Sequence, residues 1–514
     1  MRALLAALPI AAVLLLMLGV GWSAARAGVV AAVGTLVLAV AGFGFGFGGA
    51  AGPLPLPAAI GGVVVEAGFV ALTVIAIIGP ALGIYQLQER TGATDRLQRG
   101  LARISGDPRV AALLIAWYFT LFLEGAAGFG TPIALAAPFL VAAGFRPVAA
   151  VTAALVGHAV GVSFGAVGTP VLAQVTISGV SGPDLAWATA PYHLVLGGFL
   201  AAAVTLIIGR AVPMGRPPWG WGAAAAVLFF VPYGLIARFV GPELPTLGGA
   251  LLGAAGFVAL VLGLRRILGR AGGPAGEADA PAAEPGRAGM GVLRAGAPYL
   301  VLIALVLLTR LIPAVRDGLQ DLTVQWRLFD TFSGAIRPLY HPALLLTAAF
   351  VLGAMAQRAD VASVRAAVVT ATRQLGVVLV ALLAMVTIAL TMSYAGMTGE
   401  LAAAAAQAGP WWPLLAPAIG ALGTFVTGSA TASNVLFTEF QQSTAAAAGL
   451  PERPLLGAQG FGAAVGNIVC PHNIVAAAAT VGLSGQEGRV LRTTLPIAGA
   501  YVALGGMLAW WFVG

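Results

Sequence analysis

Apolar residues run through this chain in long blocks, and polar residues are largely confined to the short stretches between them. A block of roughly 20 apolar residues is what an α-helix needs to cross a bilayer. Such blocks fall at 3–21, 28–48, 59–85, 148–180, 186–209, 219–240, 246–264, 296–313, 342–356, 374–392, 457–482 and 492–513. Two further apolar regions, 110–145 and 410–447, are broken by glycines and hydroxyl residues and read as re-entrant hairpins. The longest blocks, 148–180 and 457–482, are interrupted as well. The pattern predicts an all-α polytopic membrane protein with about 12 transmembrane helices plus two re-entrant hairpins. Reading the hairpins as pairs of full spans gives the same sidedness. Residues 3–21 could pass for a signal peptide, but a second apolar block follows at once, so they are read as a retained first span.

Two segments stand apart from the membrane pattern. Residues 265–294 are rich in Ala, Gly, Pro and Arg and read as a cytoplasmic linker. They divide the chain into membrane halves at 1–264 and 295–514. Residues 314–341, with Trp326, Phe329, Phe332 and Tyr340, read as an external loop at the interface, where aromatic rings are favoured.

The breaks repeat. Gly130 and Gly168 are 38 residues apart, and so are Gly428 and Gly466, with a constant offset of 298 between the halves. Each pair marks one hairpin and the broken block after it. The stretch before the first hairpin, 86–109, holds five Arg, whereas 393–409 before the second holds Glu400 and no Arg. Cytoplasmic segments collect basic residues, so the halves are expected to be inverted repeats. Interrupted helices meeting at mid-membrane in inverted repeats are a transporter architecture.

Composition narrows the class. The 514 residues are 60% hydrophobic and 9% charged, against about 25% charged in a soluble domain. The net charge of +8 comes from Arg in the short segments between blocks, where orientation in the membrane explains it and no nucleic-acid surface is implied. A single cysteine, Cys470, excludes an intramolecular disulfide. The four histidines, at 158, 193, 341 and 472, show no metal-ligand spacing, and no cofactor motif or nucleophile–base pair is visible. The expected partners are the lipid bilayer and a small carboxylate.

Candidate chemistry sits at the breaks. Leu123-Glu-Gly-Ala-Ala-Gly-Phe-Gly-Thr-Pro-Ile133 places a carboxylate, three glycines and a proline in apolar surroundings, where Glu is costly and irregular backbone must line a cavity or be buried in protein. Glu124 is therefore the first candidate for carrying a coupling proton, followed by Glu66 and His158. Helix breaks leave N–H groups without partners at the positive end of a helix dipole, which favours an anion. Gly128, Gly130, Thr131, Thr169, Ser429, Thr431, Ser433, Asn434, Asn467, His472 and Asn473 are the candidates for holding a carboxylate and a neighbouring hydroxyl. Each hydroxyl among them is as well suited to bonding its own helix backbone. An amide in apolar surroundings needs a partner, which favours Asn434 and Asn473. A passive anion channel would share the broken helices.

At these residues the chain resembles the lactate permease family of bacterial secondary transporters, nearly end to end. Glu124-Gly-Ala-Ala-Gly-Phe-Gly130 with Pro132 is the most specific match. Ala7-Leu-Pro-Ile10, Phe164-Gly-Ala-Val-Gly168 with Pro170, Thr427-Gly-Ser429, Ser433-Asn434, Pro471 and Ala479-Thr-Val-Gly482 also match. The resemblance implies proton-coupled uptake of lactate, and often glycolate, through the bacterial inner membrane. Similarity to a wider group of ion transporters implies a scaffold part, a mobile part and a homodimer. The chain departs from the family pattern at Ala430, where Asp is usual. It also departs at His158, where Asn is usual, and at His472 and Asn473, where Gln-Ser is usual. These positions leave sodium coupling, or exchange of another organic anion, as alternatives.

Overall fold

The computed structural model describes residues 2–20, 22–46, 54–94, 96, 107–126, 128, 131–211, 217–267, 290–483 and 486–513. Most of the linker assigned to 265–294 lies outside the described residues. The first helices are α1 (Arg2–Leu18), α2 (Ala24–Phe43) and α3 (Leu56–Thr91). Then come α4 (Pro108–Ala126), α5 (Thr131–Ala142), α6 (Pro147–His158) and α7 (Gly165–Ser178). The first half ends with α8 (Gly182–Ala211), α9 (Trp219–Phe239) and α10 (Pro245–Ile267). The second half opens with α11 (Ala297–Leu311), α12 (Pro313–Gln320), α13 (Pro342–Gln357), α14 (Val361–Tyr394) and α15 (Met397–Ala406). It closes with α16 (Trp412–Thr427), α17 (Ala430–Ala448), α18 (Glu452–Gly466), α19 (Pro471–Thr480) and α20 (Glu487–Val513).

Among the described residues, nine helices are long and apolar enough to cross a membrane, or ten if the bent pair α11–α12 is one span. Two of the nine differ from the rest. The spans at Pro108–Ala126 and Pro147–Ser178 are 89% buried inside the protein, whereas the other seven are 33–47% buried. The outer spans leave more than half of their residues outside the protein core, as lipid-facing helices do. The two enclosed spans carry the irregular backbone, as they must where no water is available to satisfy it. Within α4, Leu114–Phe119 winds as a π-helix immediately before the turn that bears Glu124. Such expansions concentrate at functional sites.

The core falls into two main clusters. One is built on α1, α2, α3 and α14, and the other gathers α4 to α10 with α16, α18 and α20. α17 joins them: Val435, Leu436 and Phe437 pack into the first cluster, and its other faces lie against α16 and α18.

The expected all-helical fold needs one correction. Part of the segment 314–341, expected to be a loop, is α12, and another part is an antiparallel hairpin of β1 (Val324–Leu328) and β2 (Phe332–Ile336). Alternation drives it, since Trp326 lies edge-on to Phe69 of α3 and Phe332 is buried against Gly62 and Tyr394. Three residues, 329–331, join the strands; Phe329 and Asp330 are both left-handed, and Thr331 N donates to the Leu328 carbonyl at 3.2 Å.

Candidate functional site

The chain breaks converge. Gly128 just past α4, the bend at the start of α7, the Gly428–Ser429 turn before α17 and Asn467 after α18 line one cavity. Glu124, Val162, Gly165, Ala166, Pro170, Ala430 and Thr431 complete its wall. The cavity measures about 30 Å³, room for a water or two. A wider cavity of about 410 Å³ lies by Arg109 at the far end of α4. It is open and apolar, and Arg109 is bonded to Asp107 there, so it offers no comparable chemistry.

One wall is the bend of the second enclosed span, Pro147–Ser178. After α6 the chain tightens to a 3₁₀ segment, Ala159–Phe164, and then passes through three left-handed residues, Ala166, Val167 and Gly168. That conformation is costly for Ala and a genuine outlier for β-branched Val. Packing enforces it: an added Cβ at Gly168 would lie 2.3 Å from the Pro242 carbonyl oxygen, and the Thr169 hydroxyl donates back to the Ala166 carbonyl. Glu124 lies against this bend, 4% exposed, and an added Cβ at Gly165 would sit 2.1 Å from its Oε1. Glycine at 165 is what lets the carboxyl reach the cavity.

The opposite wall has the other polarity. Gly428 ends α16 in a left-handed cap, and Ser429 starts α17 as its N-cap, accepting from Ala432 N at 3.3 Å. The Ser429 hydroxyl hydrogen is left to donate. The first N–H groups of the 19-residue α17 have no acceptor within the helix, and the dipole places partial positive charge there. Asn467 and Thr431 complete this donor-rich face.

The other expected site residues are placed as follows. Asn434, fully buried, donates from Nδ2 to the Pro170 carbonyl at 3.0 Å and accepts from Gln459 at 3.4 Å. The chain of amides continues through Gln441 to the Trp412 indole. Ser433 donates to the Gly420 carbonyl at 2.7 Å. These two residues brace the breaks and do not line the cavity. His158 is buried within α6, bonded through Nδ1 to the Ala154 carbonyl at 3.1 Å. Glu66 accepts from the Tyr394 hydroxyl at 2.7 Å, and the neighbouring Ser393 donates to Glu439. Neither His158 nor Glu66 reaches the cavity wall. Asn473 bonds Asn467. Gly130 lies outside the described residues, and so do the side chains of Thr131 and His472. No His, Cys, Asp or Glu group able to hold a metal ion occurs among the described residues.

Sequence reasoning passed over several polar residues that hold the site. Gln459 and Gln441 carry the amide chain behind Asn434. His193 links the Ser163 hydroxyl, at 2.9 Å, to the Tyr501 hydroxyl, at 3.2 Å, behind the 3₁₀ segment. The signal was present, since an amide or imidazole within an apolar block must find a partner.

The L-lactate permease family model matches residues 2–513. A putative L-lactate permease of Haemophilus influenzae is 30% identical over 86% of this chain and 88% of its own length. The L-lactate permease of Bacillus subtilis is 28% identical over 82% and 81%, and the Escherichia coli glycolate permease GlcA is 26% identical over 82% and 80%. Among solved structures, the Neisseria gonorrhoeae antimetabolite efflux pump MtrF is similar in fold. Its TM-score is 0.50 at 16% identity, covering 96% of this chain and 95% of that one. These relatives are transport proteins and not enzymes. An end-to-end match of this kind, on a chain with at least nine apolar spans, settles the family: the chain belongs to the L-lactate permeases, multi-pass transporters of the inner membrane.

Proposed function

We propose that this protein imports a small 2-hydroxy monocarboxylate, L-lactate or glycolate, together with a proton. The observation that carries the reading is the polarity of the cavity: a donor-rich helix N-terminus with Ser429, Thr431 and Asn467 shares one small cavity with the Glu124 carboxyl. The substrate carboxylate sits at the start of α17, where N–H groups and hydroxyls point at it without a buried Arg. Glu124 takes the coupling proton. Ionised, it repels the anion across the cavity; protonated, it presents an O–H donor, so substrate and proton bind together. The cavity, at about 30 Å³, is smaller than either acid, so the breaks must part to admit the substrate. The names of the lactate and glycolate permeases among the relatives support the substrate class.

Alternating access in this reading uses two inverted halves, with the hairpins moving against α3 and α14. Two pairings support the repeat. α5 packs on α19 just as its counterpart α17 packs on α7, the counterpart of α19. Ser163 donates to the Gly460 carbonyl across 297 residues, within one residue of the 298-residue offset, as expected close to a two-fold axis.

The test is uptake of labelled L-lactate and glycolate by purified protein in liposomes. Acidifying the outside should accelerate both. Dependence on sodium in place of pH would overturn the coupling, and uptake of neither acid would overturn the substrate.

A further inference from the structure

Asn473 follows Asn467 across the break between α18 and α19, and both amides are buried. Asn473 Nδ2 lies 2.7 Å from Asn467 Oδ1 and 3.4 Å from the Asn467 backbone oxygen. A backbone carbonyl only accepts, so the Asn473 group facing it is the NH₂. The Asn467 atom on that same NH₂ must then be Oδ1. This fixes which way round the Asn467 amide stands: its oxygen is held by Asn473, and its own NH₂ is turned away. That NH₂ has no hydrogen-bond partner among the described residues, and Asn467 lines the cavity with Ser429 and Thr431. An amide free to turn would offer its acceptor edge as readily as its donor edge.

We propose that Asn473 is a positioning residue that locks Asn467 as a donor toward the cavity, making this wall selective for an anion over a neutral amide of the same shape. The inference rests on the carboxylate reading of the site. It assigns Asn473 no contact with substrate; Asn473 acts through Asn467.

A double-mutant cycle tests this, read as the Kd of labelled L-lactate on the full chain in lipid nanodiscs. Asn467→Ala removes the donor and should raise Kd about tenfold, the size of a hydrogen bond to a charged group. Asn473→Ala should raise it about fivefold by letting Asn467 turn. In the Asn467→Ala background, Asn473→Ala should change Kd no further. An equal rise in both backgrounds, or no rise in the wild-type background, would overturn the assignment. If Asn473→Ala does not fold, the isosteric Asn473→Asp replaces it. An ionised carboxylate only accepts, so Asn467 would turn its NH₂ inward and present Oδ1 to the cavity. Lactate should then weaken while lactamide does not, and equal weakening of the two would count against the proposal. Wild-type protein that binds neither lactate nor glycolate would instead refute the substrate reading.

Discussion

Gly165→Ala perturbs the candidate site by one methyl group at a known place. The backbone at 165 is extended, with φ −66° and ψ 160°, so alanine adopts it without strain and the effect is steric alone. The new Cβ would lie 2.1 Å from Glu124 Oε1 and 3.1 Å from its Cδ. Ordinary contact begins near 3.4 Å, so the oxygen must retreat by about 1.3 Å. Neither neighbour offers easy relief. Glu124 is enclosed within α4, and the bend at 166–168 is pinned against Pro242. Overpacking of this kind costs about 1–3 kcal/mol, which a folded membrane protein survives. Misplacing a reacting group by about 1 Å lowers turnover up to roughly 100-fold. Gly165→Ala should therefore reach the membrane folded and lose most of its pH-driven lactate uptake, measured as initial rate in liposomes. Gly34→Ala, whose added Cβ meets nothing within 4 Å, is the control and should transport normally. Wild-type rate and pH dependence in Gly165→Ala would refute the placement of Glu124 as the working carboxyl.

One pair of substitutions separates a group that lines the cavity from one that braces it, and a third tests a carboxyl away from it. Ser429→Ala should raise the Kd for lactate with little change in thermal unfolding, whereas Ser433→Ala, which loses its bond to the Gly420 carbonyl, should destabilise by about 1 kcal/mol and leave Kd unchanged. Glu66→Gln keeps an acceptor for Tyr394 and should retain pH-driven accumulation in the liposome assay; abolished accumulation would return Glu66 to the coupling machinery.

The parts of this fold that were legible in the sequence are those where polar chemistry is costly in lipid. Glu124 with its glycines, and the recurring breaks near 130, 168, 428 and 466, stand out against apolar blocks, and all four of those regions meet at the cavity. The role of each amide was not legible. Asn434 and Asn467 both sit among apolar residues, yet one is tied to the Pro170 carbonyl 264 residues away and the other lines the cavity. Only the packing of α17 between α7 and α18 decides between them. Gly165 stood out only as part of the Phe164–Gly168 match, and its role was not legible, because its reason is a carboxyl on another helix. The β-hairpin escaped notice because Phe329 and Asp330 take left-handed conformations without the Asn-Gly signature.

Glu124→Gln tests the central claim most directly, because it keeps the size of the side chain and removes its exchangeable proton. The measurement is lactate accumulation in liposomes under an imposed pH gradient, set beside lactate exchange at equal pH. Wild-type protein should accumulate lactate against its gradient and lose that accumulation with an uncoupler. Glu124→Gln should fold, keep exchange and fail to accumulate. Accumulation in Glu124→Gln with unchanged pH dependence would contradict the account and remove Glu124 as the carrier of the proton.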